Sequence, residues 1–285
     1  MKVWWLDYHP AFNSASYVNY DDYANMRKLF KECKSVASNW TALRVSIEDR
    51  NKPSDFMYRT GGSLIVSARA KDLILQIPNI NVEFLPLISD SELYVLNVLT
   101  ALDCVDPDQS LEKRIDGSGR LIGYEQFAFR QEVVEGHDIF RVRLHEGDHI
   151  LDEIYVSDKL KQIIEEKLIG FQLIEIWDSN FSWKQKEEKY SSMCEEVDRS
   201  LVETFEFNRA IKYIKSNKGK QAYSGNWSLK VDEKDEILLG DLLLDGTYSW
   251  MNPIYYPPII LGLVWGIKEK RKSLVSRLKD GFSFN

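Results

Sequence analysis

The stretch that decides the fold begins with VEFLPLI at residues 82–88, continues with ELYVLNVLTALDCVDPDQS at residues 92–110, and closes with YEQFAFR at residues 124–130 and DIFRVR at residues 138–143. Residues 94–99 are apolar on both faces, which is typical of a strand in the middle of a sheet. The Asp and Pro residues of 102–110 and the glycines of 116–119 are typical of turns. The stretch therefore predicts four short strands joined by turns.

A strand–helix–strand pattern occurs on each side of the central strands of this stretch. It covers residues 64–88 and returns at residues 154–177. In both copies a serine, Ser67 or Ser157, stands where its hydroxyl can cap the first free N–H groups of the helix. The sequence thus predicts two such units within one α+β domain.

The remaining periodicities complete the predicted fold. Before the central stretch they indicate strands at residues 3–6 and 43–47, a helix at residues 20–34 and a loop at residues 51–62. After residue 180 they indicate a charged helix at residues 184–215, aromatic strands at residues 222–231, 237–244 and 248–250, a Pro-rich loop at residues 252–258 and a basic helix at residues 265–279.

The predicted fold class is α+β, with a mixed or antiparallel sheet and flanking helices in a domain of residues 1–180. Residues 181–285 are expected to add a C-terminal helical and aromatic β extension, or a small second domain. We place this boundary where alternating strand and helix patterns give way to a charged helix followed by aromatic strands.

Composition narrows the class of protein. The chain carries 37 basic and 44 acidic side chains, a net charge of −7. Nucleic-acid binders present a basic face, so nucleic acid is not an expected partner, whereas an acidic surface steers a basic protein. Asp7 comes too early for a secretory segment, and no apolar run reaches the roughly 20 residues that span a bilayer. Cys33, Cys104 and Cys194 lie far apart, as reduced thiols of a cytoplasmic protein do.

The sequence His145-Glu-Gly-Asp-His149 matches the HExxH string of zinc peptidases. That chemistry needs both histidines on one helical face. Strand-like sequence precedes and follows the string, and Gly147-Asp148 is typical of a hairpin turn. We therefore predict a turn, with no metal and no cofactor; a metal-dependent hydrolase using His145, Glu146 and His149 is the alternative.

An acidic and aromatic region in the C-terminal part could dock a basic protein. Buried aromatic anchors with charges around them are the usual make-up of a tight interface. The plainer interpretation is a solvated hairpin whose aromatic residues pack a sheet. The candidate contact residues are Tyr223, Trp227, Asp235, Glu236, Asp241, Asp245 and Trp250.

An ordered set of motifs resembles a family of bacterial immunity proteins from polymorphic toxin systems, first catalogued as a domain of unknown function. The motifs are SLIVS at 63–67, VEFLP at 82–86, YVLNV at 94–98, Leu102-Asp103 with Ser110, IFR at 139–141 and IYVS at 154–157. The similarity covers residues 60–178. Residues 180–285 carry none of these motifs, so binding specificity is expected there.

The resemblance implies a cytoplasmic protein without catalytic residues that binds a cognate toxin and neutralises it by occlusion. The acidic balance adds the expectation that this toxin is basic. Besides the hydrolase, the alternative is a structural or scaffolding module, for example a homodimer.

Overall fold

Antiparallel pairing builds nearly all of the sheet structure in the computed structural model, which describes residues 1–268. The chain divides into two compact units, Met1–Trp183 and Lys184–Asn285. Helices flank the sheets in both units, so the predicted α+β class is confirmed.

The strands of the first unit are β1 Lys2–Tyr8, β2 Ser14–Tyr17, β3 Val45–Glu48, β4 Phe56–Thr60, β5 Ser63–Ser67, β6 Val82–Pro86, β7 Leu93–Val98, β8 Ala101–Leu102, β9 Leu111–Arg114, β10 Leu121–Gln126, β11 Ile139–Val142, β12 Ile154–Ser157 and β13 Phe171–Asp178. Its helices are α1 Tyr20–Leu29, α2 Ala68–Ile74, α3 Gln131–Val134 and α4 Asp158–Lys167, with a short 3-10 helix at Ala37–Asn39. The strands form one sheet in the order β13-β1-β12-β11-β8, another in the order β4-β5-β7-β6, and the ribbons β2-β3 and β9-β10.

The described part of the second unit contains α5 Trp183–Arg199, which starts at the boundary, β14 Leu201–Glu206, α6 Phe207–Ser216, β15 Gln221–Ser224, β16 Trp227–Val231, β17 Ile237–Leu242, β18 Tyr248–Met251, α7 Pro258–Leu261 and β19 Val264–Lys268. Its strands form one antiparallel sheet in the order β14-β19-β15-β16-β17-β18. The apolar face of α6, with Ala210 and Ile214 fully buried, packs on this sheet against Leu229 and Trp265.

Both predicted strand–helix–strand units are present, and each is split by a third strand. In β5-α2-β6 the two strands pair on either side of β7, and in β12-α4-β13 they pair on either side of β1. Within residues 1–268 the arrangement occurs a third time, as β14-α6-β15 around β19. This third unit was not predicted, because Glu206 stands where the other copies have serine.

The two serine caps make the same set of hydrogen bonds. Ser67 Oγ accepts from Ala70 N at 3.1 Å, and Ser157 Oγ accepts from Leu160 N at 3.2 Å. Each hydroxyl also donates to an aspartate that lies upstream, Asp55 at 2.6 Å or Asp138 at 2.7 Å. The helix start is thereby tied to a distant part of the chain.

The five-stranded sheet has two different faces. On one, Leu6 and Val156 pack against Leu160 of α4 in one apolar cluster. On the other, Trp5 and Tyr155 pack towards the β9-β10 ribbon in a second, aromatic cluster.

Arg141 of β11 is fully buried at the centre of the first unit. Its Nε donates to Leu151 O at 2.9 Å and its Nη1 donates to Phe30 O at 2.5 Å. Gly62 lies directly against the guanidinium group, where a Cβ would overlap the guanidinium atoms. Arg141 therefore joins the end of α1, the turn before β5 and the segment before β12.

Several sequence predictions are wrong in number or extent. Residues 82–143 form the six strands β6 to β11 instead of four, and residues 222–231 form parts of two strands, β15 and β16. The helix predicted at residues 20–34 ends at Leu29. Cys33 has a positive φ of 53°, so the segment after Leu29 does not continue the helix. The loop predicted at residues 51–62 contains β4, because that segment pairs with β5. The helix predicted at residues 184–215 is interrupted by β14, which pairs with β19. The first residues of the basic helix predicted at 265–279, residues 265–268, belong to the strand β19 instead. The rest of that prediction lies outside the described part of the chain.

The contact between Gly62 and Arg141 generates a stability prediction with an internal control. Gly62 and Gly117 have nearly the same φ, +83° and +80°, but nothing lies within 4 Å of a Cβ at Gly117. Gly117→Ala should cost about 1 kcal/mol of unfolding free energy from backbone strain. Gly62→Ala should cost about 2 kcal/mol more, because overpacking adds to strain. Urea denaturation of both variants measures the difference, and equal losses would contradict the proposed role of Arg141.

Candidate functional site

The polar residues of the family-like motifs hold the frame of the first unit. Glu83 and Asn97 face each other across β6 and β7, and Asn97 Nδ2 donates to Glu83 Oε1 at 2.7 Å. Glu83 also accepts from Ser35 Oγ at 2.7 Å and from Val36 N at 2.9 Å, which fixes the segment after α1. Although burial raises it, these hydrogen bonds leave the pKa of Glu83 below its usual value.

The HExxH string forms a hairpin turn, as predicted. Leu144 N donates to His149 O at 2.9 Å, and Gly147 has a φ of +73°. Arg114 binds both carboxylate oxygens of Glu146, at 2.8 and 3.0 Å. Within residues 1–268 no group of three or more His, Cys, Asp or Glu side chains is placed to hold a metal ion.

Two of the predicted contact residues lie on one face of the C-terminal sheet. The ring centroids of Tyr223 and Tyr248 are 6.1 Å apart, and those of Tyr248 and Trp250 are 5.7 Å apart. Lys268 Nζ lies 4.3 Å from the Tyr223 ring centre, and Lys230 Nζ lies 4.0 Å from that of Trp250. These residues form a half-buried aromatic row with a cation near each end. Tyr248 is not among the predicted contact residues, although it alternates with Trp250 in the way that same-face residues do.

The other candidate residues are distributed differently. Trp227 is half-buried against the apolar cluster under α6. Asp241 accepts hydrogen bonds from Asn226 Nδ2 at 2.9 Å and from Tyr190 OH at 3.3 Å. Trp227 and Asp241 are neighbours in the register of β16 and β17.

The remaining acidic candidates lie in two turns at opposite ends of β17. Asp235 pairs with Lys218 at 2.6 Å, and Glu236 accepts from Asn252 Nδ2 at 2.7 Å, both in the turn before β17. Asp245 lies in the turn after β17, where Thr247 N and Oγ1 both donate to it and lower its pKa. A strand of six residues spans roughly 20 Å, so the structure does not gather these carboxylates into one patch.

The negative charge of the chain belongs to the first unit. Residues 1–183 carry 29 acidic and 20 basic side chains, a net −9, whereas residues 184–285 carry 15 acidic and 17 basic side chains, a net +2. Long-range attraction of a basic protein would therefore come mainly from the first unit. Counting charges separately for the two halves of the sequence would have revealed this asymmetry.

The first unit is of mixed α+β type, with serine-capped helices and polar strand residues that pair with one another. The model of the Immunity protein family (Imm11) matches residues 24–178. The match covers 155 of the 285 residues, and the chain belongs to this family. No curated protein matches the chain. Among residues 1–268 no helix is both long and apolar enough to cross a membrane.

The hydrogen bonds of Glu83 generate a pH prediction. Because the folded-state pKa lies below the usual value of 4.5, Glu83 contributes stability above that value, and the contribution is lost as the pH falls through the folded-state pKa. We expect Glu83→Gln to lower the unfolding free energy at pH 6. The difference in unfolding free energy between the variant and the wild type should shrink as the pH falls below 4.5. Urea denaturation at several pH values measures this difference; a difference independent of pH would contradict the assignment.

Proposed function

We propose that the protein is an immunity protein that binds a cognate toxin domain and neutralises it by occlusion, without catalysis of its own. The observation that carries the proposal is the immunity-family match over residues 24–178. A supporting observation is that the polar motif residues bond within the frame, Glu83 to Asn97 and Ser157 to Asp138, which leaves the surface for recognition.

The chemistry of the chain indicates what the toxin is like and where the two proteins meet. The net charge of −9 on residues 1–183 favours a basic toxin. Cys33 and Cys104 are buried and unbridged, which fits a reducing compartment, so we propose that the protein acts in the cytoplasm.

We retain the seven candidate residues of the C-terminal unit as a proposed contact region, with the aromatic row of Tyr223, Tyr248 and Trp250 as its apolar part. Aromatic side chains supply much of the binding energy at interfaces, and charges around them act mainly on the association rate. Asp235, Glu236 and Asp245 would act in this second way, because they are exposed.

A rescue assay tests the proposed function. The toxin domain encoded beside this gene is expressed in sensitive cells with and without this protein, and the mixture is purified. We expect survival together with a stoichiometric complex, since occlusion requires one binder for each toxin. Undiminished toxicity without a complex would contradict the proposal; survival without any complex would contradict the occlusion mechanism.

Substitutions in the second unit test the proposed contact region. Trp250→Ala should raise the dissociation rate of the complex at least about 10-fold, because a buried aromatic anchor is lost. The control is Tyr255→Ala, which removes a 73% exposed aromatic residue of the same unit that is not a candidate.

Asp235→Lys with Asp245→Lys should slow association and weaken its salt dependence. Surface plasmon resonance measures both rates, and Trp250→Ala and the double variant both behaving like the wild type would exclude the region.

A further inference from the structure

The first unit contains a cavity of about 480 Å³ between the five-stranded sheet and the β9-β10 ribbon. Its floor includes Trp5 of β1 and Tyr155 of β12, which are partners in the strand register. Tyr124 and Phe127 line it from β10 and from the residue after it. A volume in this range accommodates a small ligand or a long side chain.

The cavity has aromatic walls suited to a cation. The ring centroids of Tyr124 and Phe127 are 5.2 Å apart, and those of Phe127 and Tyr155 are 5.7 Å apart. The face of an aromatic ring is negative, so rings around a cavity attract an ammonium or guanidinium group.

Two carboxylates in the wall lack a partner within residues 1–268. Glu125 is exposed at the rim and Glu153 is half-buried, and neither makes a hydrogen bond or ion pair in that part of the chain. Glu175, also in the wall, is bound by Lys2 Nζ at 2.7 Å. Lys113 in the wall forms no ion pair with any described carboxylate, so the cavity keeps acidic groups that a ligand could engage.

Tyr155 adds a polar group that the fold directs into the cavity. It is only 2% exposed, yet its hydroxyl makes no hydrogen bond within the described part of the chain. The hydroxyl oxygen itself opens onto the cavity, where a ligand can bind it, whereas the buried polar atom without a partner in this wall is Trp5 Nε1. Burial, with a further effect of the Glu153 charge, raises the pKa of Tyr155 well above its usual value, so the hydroxyl stays neutral at physiological pH.

We propose that this cavity receives an arginine side chain of the toxin, an inference that rests on the proposed function. Tyr155 Oη accepts a hydrogen bond from the guanidinium group, Glu125 and Glu153 supply the opposite charge, and the aromatic wall offers a ring face to the cation. Arginine suits the cavity better than lysine because its planar group both stacks and donates several hydrogen bonds.

The first test compares two variants that change the net charge equally. Glu125→Gln with Glu153→Gln removes both cavity carboxylates, whereas Glu132→Gln with Glu135→Gln removes two exposed carboxylates outside the cavity. We expect the cavity variant to bind the toxin about 30-fold more weakly, mainly through faster dissociation, and the control to change only the association rate. Equal effects of the two variants on a toxin that the wild type binds would overturn the cavity proposal and leave the proposed function standing.

The second test uses a small probe and does not depend on the toxin. Saturation-transfer NMR should detect binding of N-acetylarginine methylamide to the wild-type protein, but not binding of the uncharged citrulline analogue. The signal should fall with Glu125→Gln and Glu153→Gln together, and with Tyr155→Phe, whose unfolding free energy should remain at least that of the wild type because only an unpaired hydroxyl is removed. An arginine signal that both variants retain would overturn the cavity proposal. Probe binding in a protein that fails to bind the toxin would support the cavity and refute the proposed function.

Discussion

The buried guanidinium group of Arg141 is the constraint on which the first unit depends. Removing an arginine from water costs several kcal/mol unless the fold supplies partners, and one removed partner leaves that cost uncompensated. Here the partners are Phe30 O and Leu151 O, while Nη2 lies 3.6 Å from Asp152 Oδ1 and makes no hydrogen bond. The segments that carry these oxygens must therefore meet at one point. We interpret Arg141 as fixing their mutual position rather than as adding much net stability.

The split strand–helix–strand unit explains why part of this fold could be predicted from the sequence. A serine before an apolar helical stretch is a local signal, and at Ser67 and Ser157 it identified two helix starts correctly. In β5-α2-β6 the strand that enters between the two outer strands is β7, which directly follows β6 and was predicted; in the other two units the entering strand is not a local feature. Residues 2–8 and 264–268 occupy that position far along the chain from the strands they separate, so only the β propensity of residues 3–6 was visible.

The missed strands have the same cause. Pro53 and the Gly61-Gly62 pair surround β4, and turn chemistry on both sides suggested a loop. Residues 201 and 205 follow 190, 193 and 197 at helical spacing, which extended the predicted helix across β14. In both places the preference of a short segment is weaker than the hydrogen bonds that a neighbouring strand offers, as is general for β structure.

The candidate sites were less predictable than the fold, because a surface combines residues that the sequence separates. The acidic run at 232–236 looked like one patch with Asp241 and Asp245, but the hairpin sends Asp235 and Asp245 to opposite ends of β17. Tyr223 and Trp250 do lie in one aromatic row, which Tyr248 joins. The cavity at Tyr155 could not have been predicted, since its wall is drawn from residues 5 to 176.

A protein that inhibits by occlusion loses affinity for every group that must become ordered on binding. A surface held by a rigid frame avoids that loss. In the first unit the frame is made by residues of the family-like motifs, which bond to one another and to the backbone: Glu83 to Asn97, and Ser157 to Asp138. Surface residues such as Glu125 make no such bonds, so they can change without disturbing the frame. Under the proposed function, this separation would let the fold keep its stability while its surface is altered to fit a different toxin.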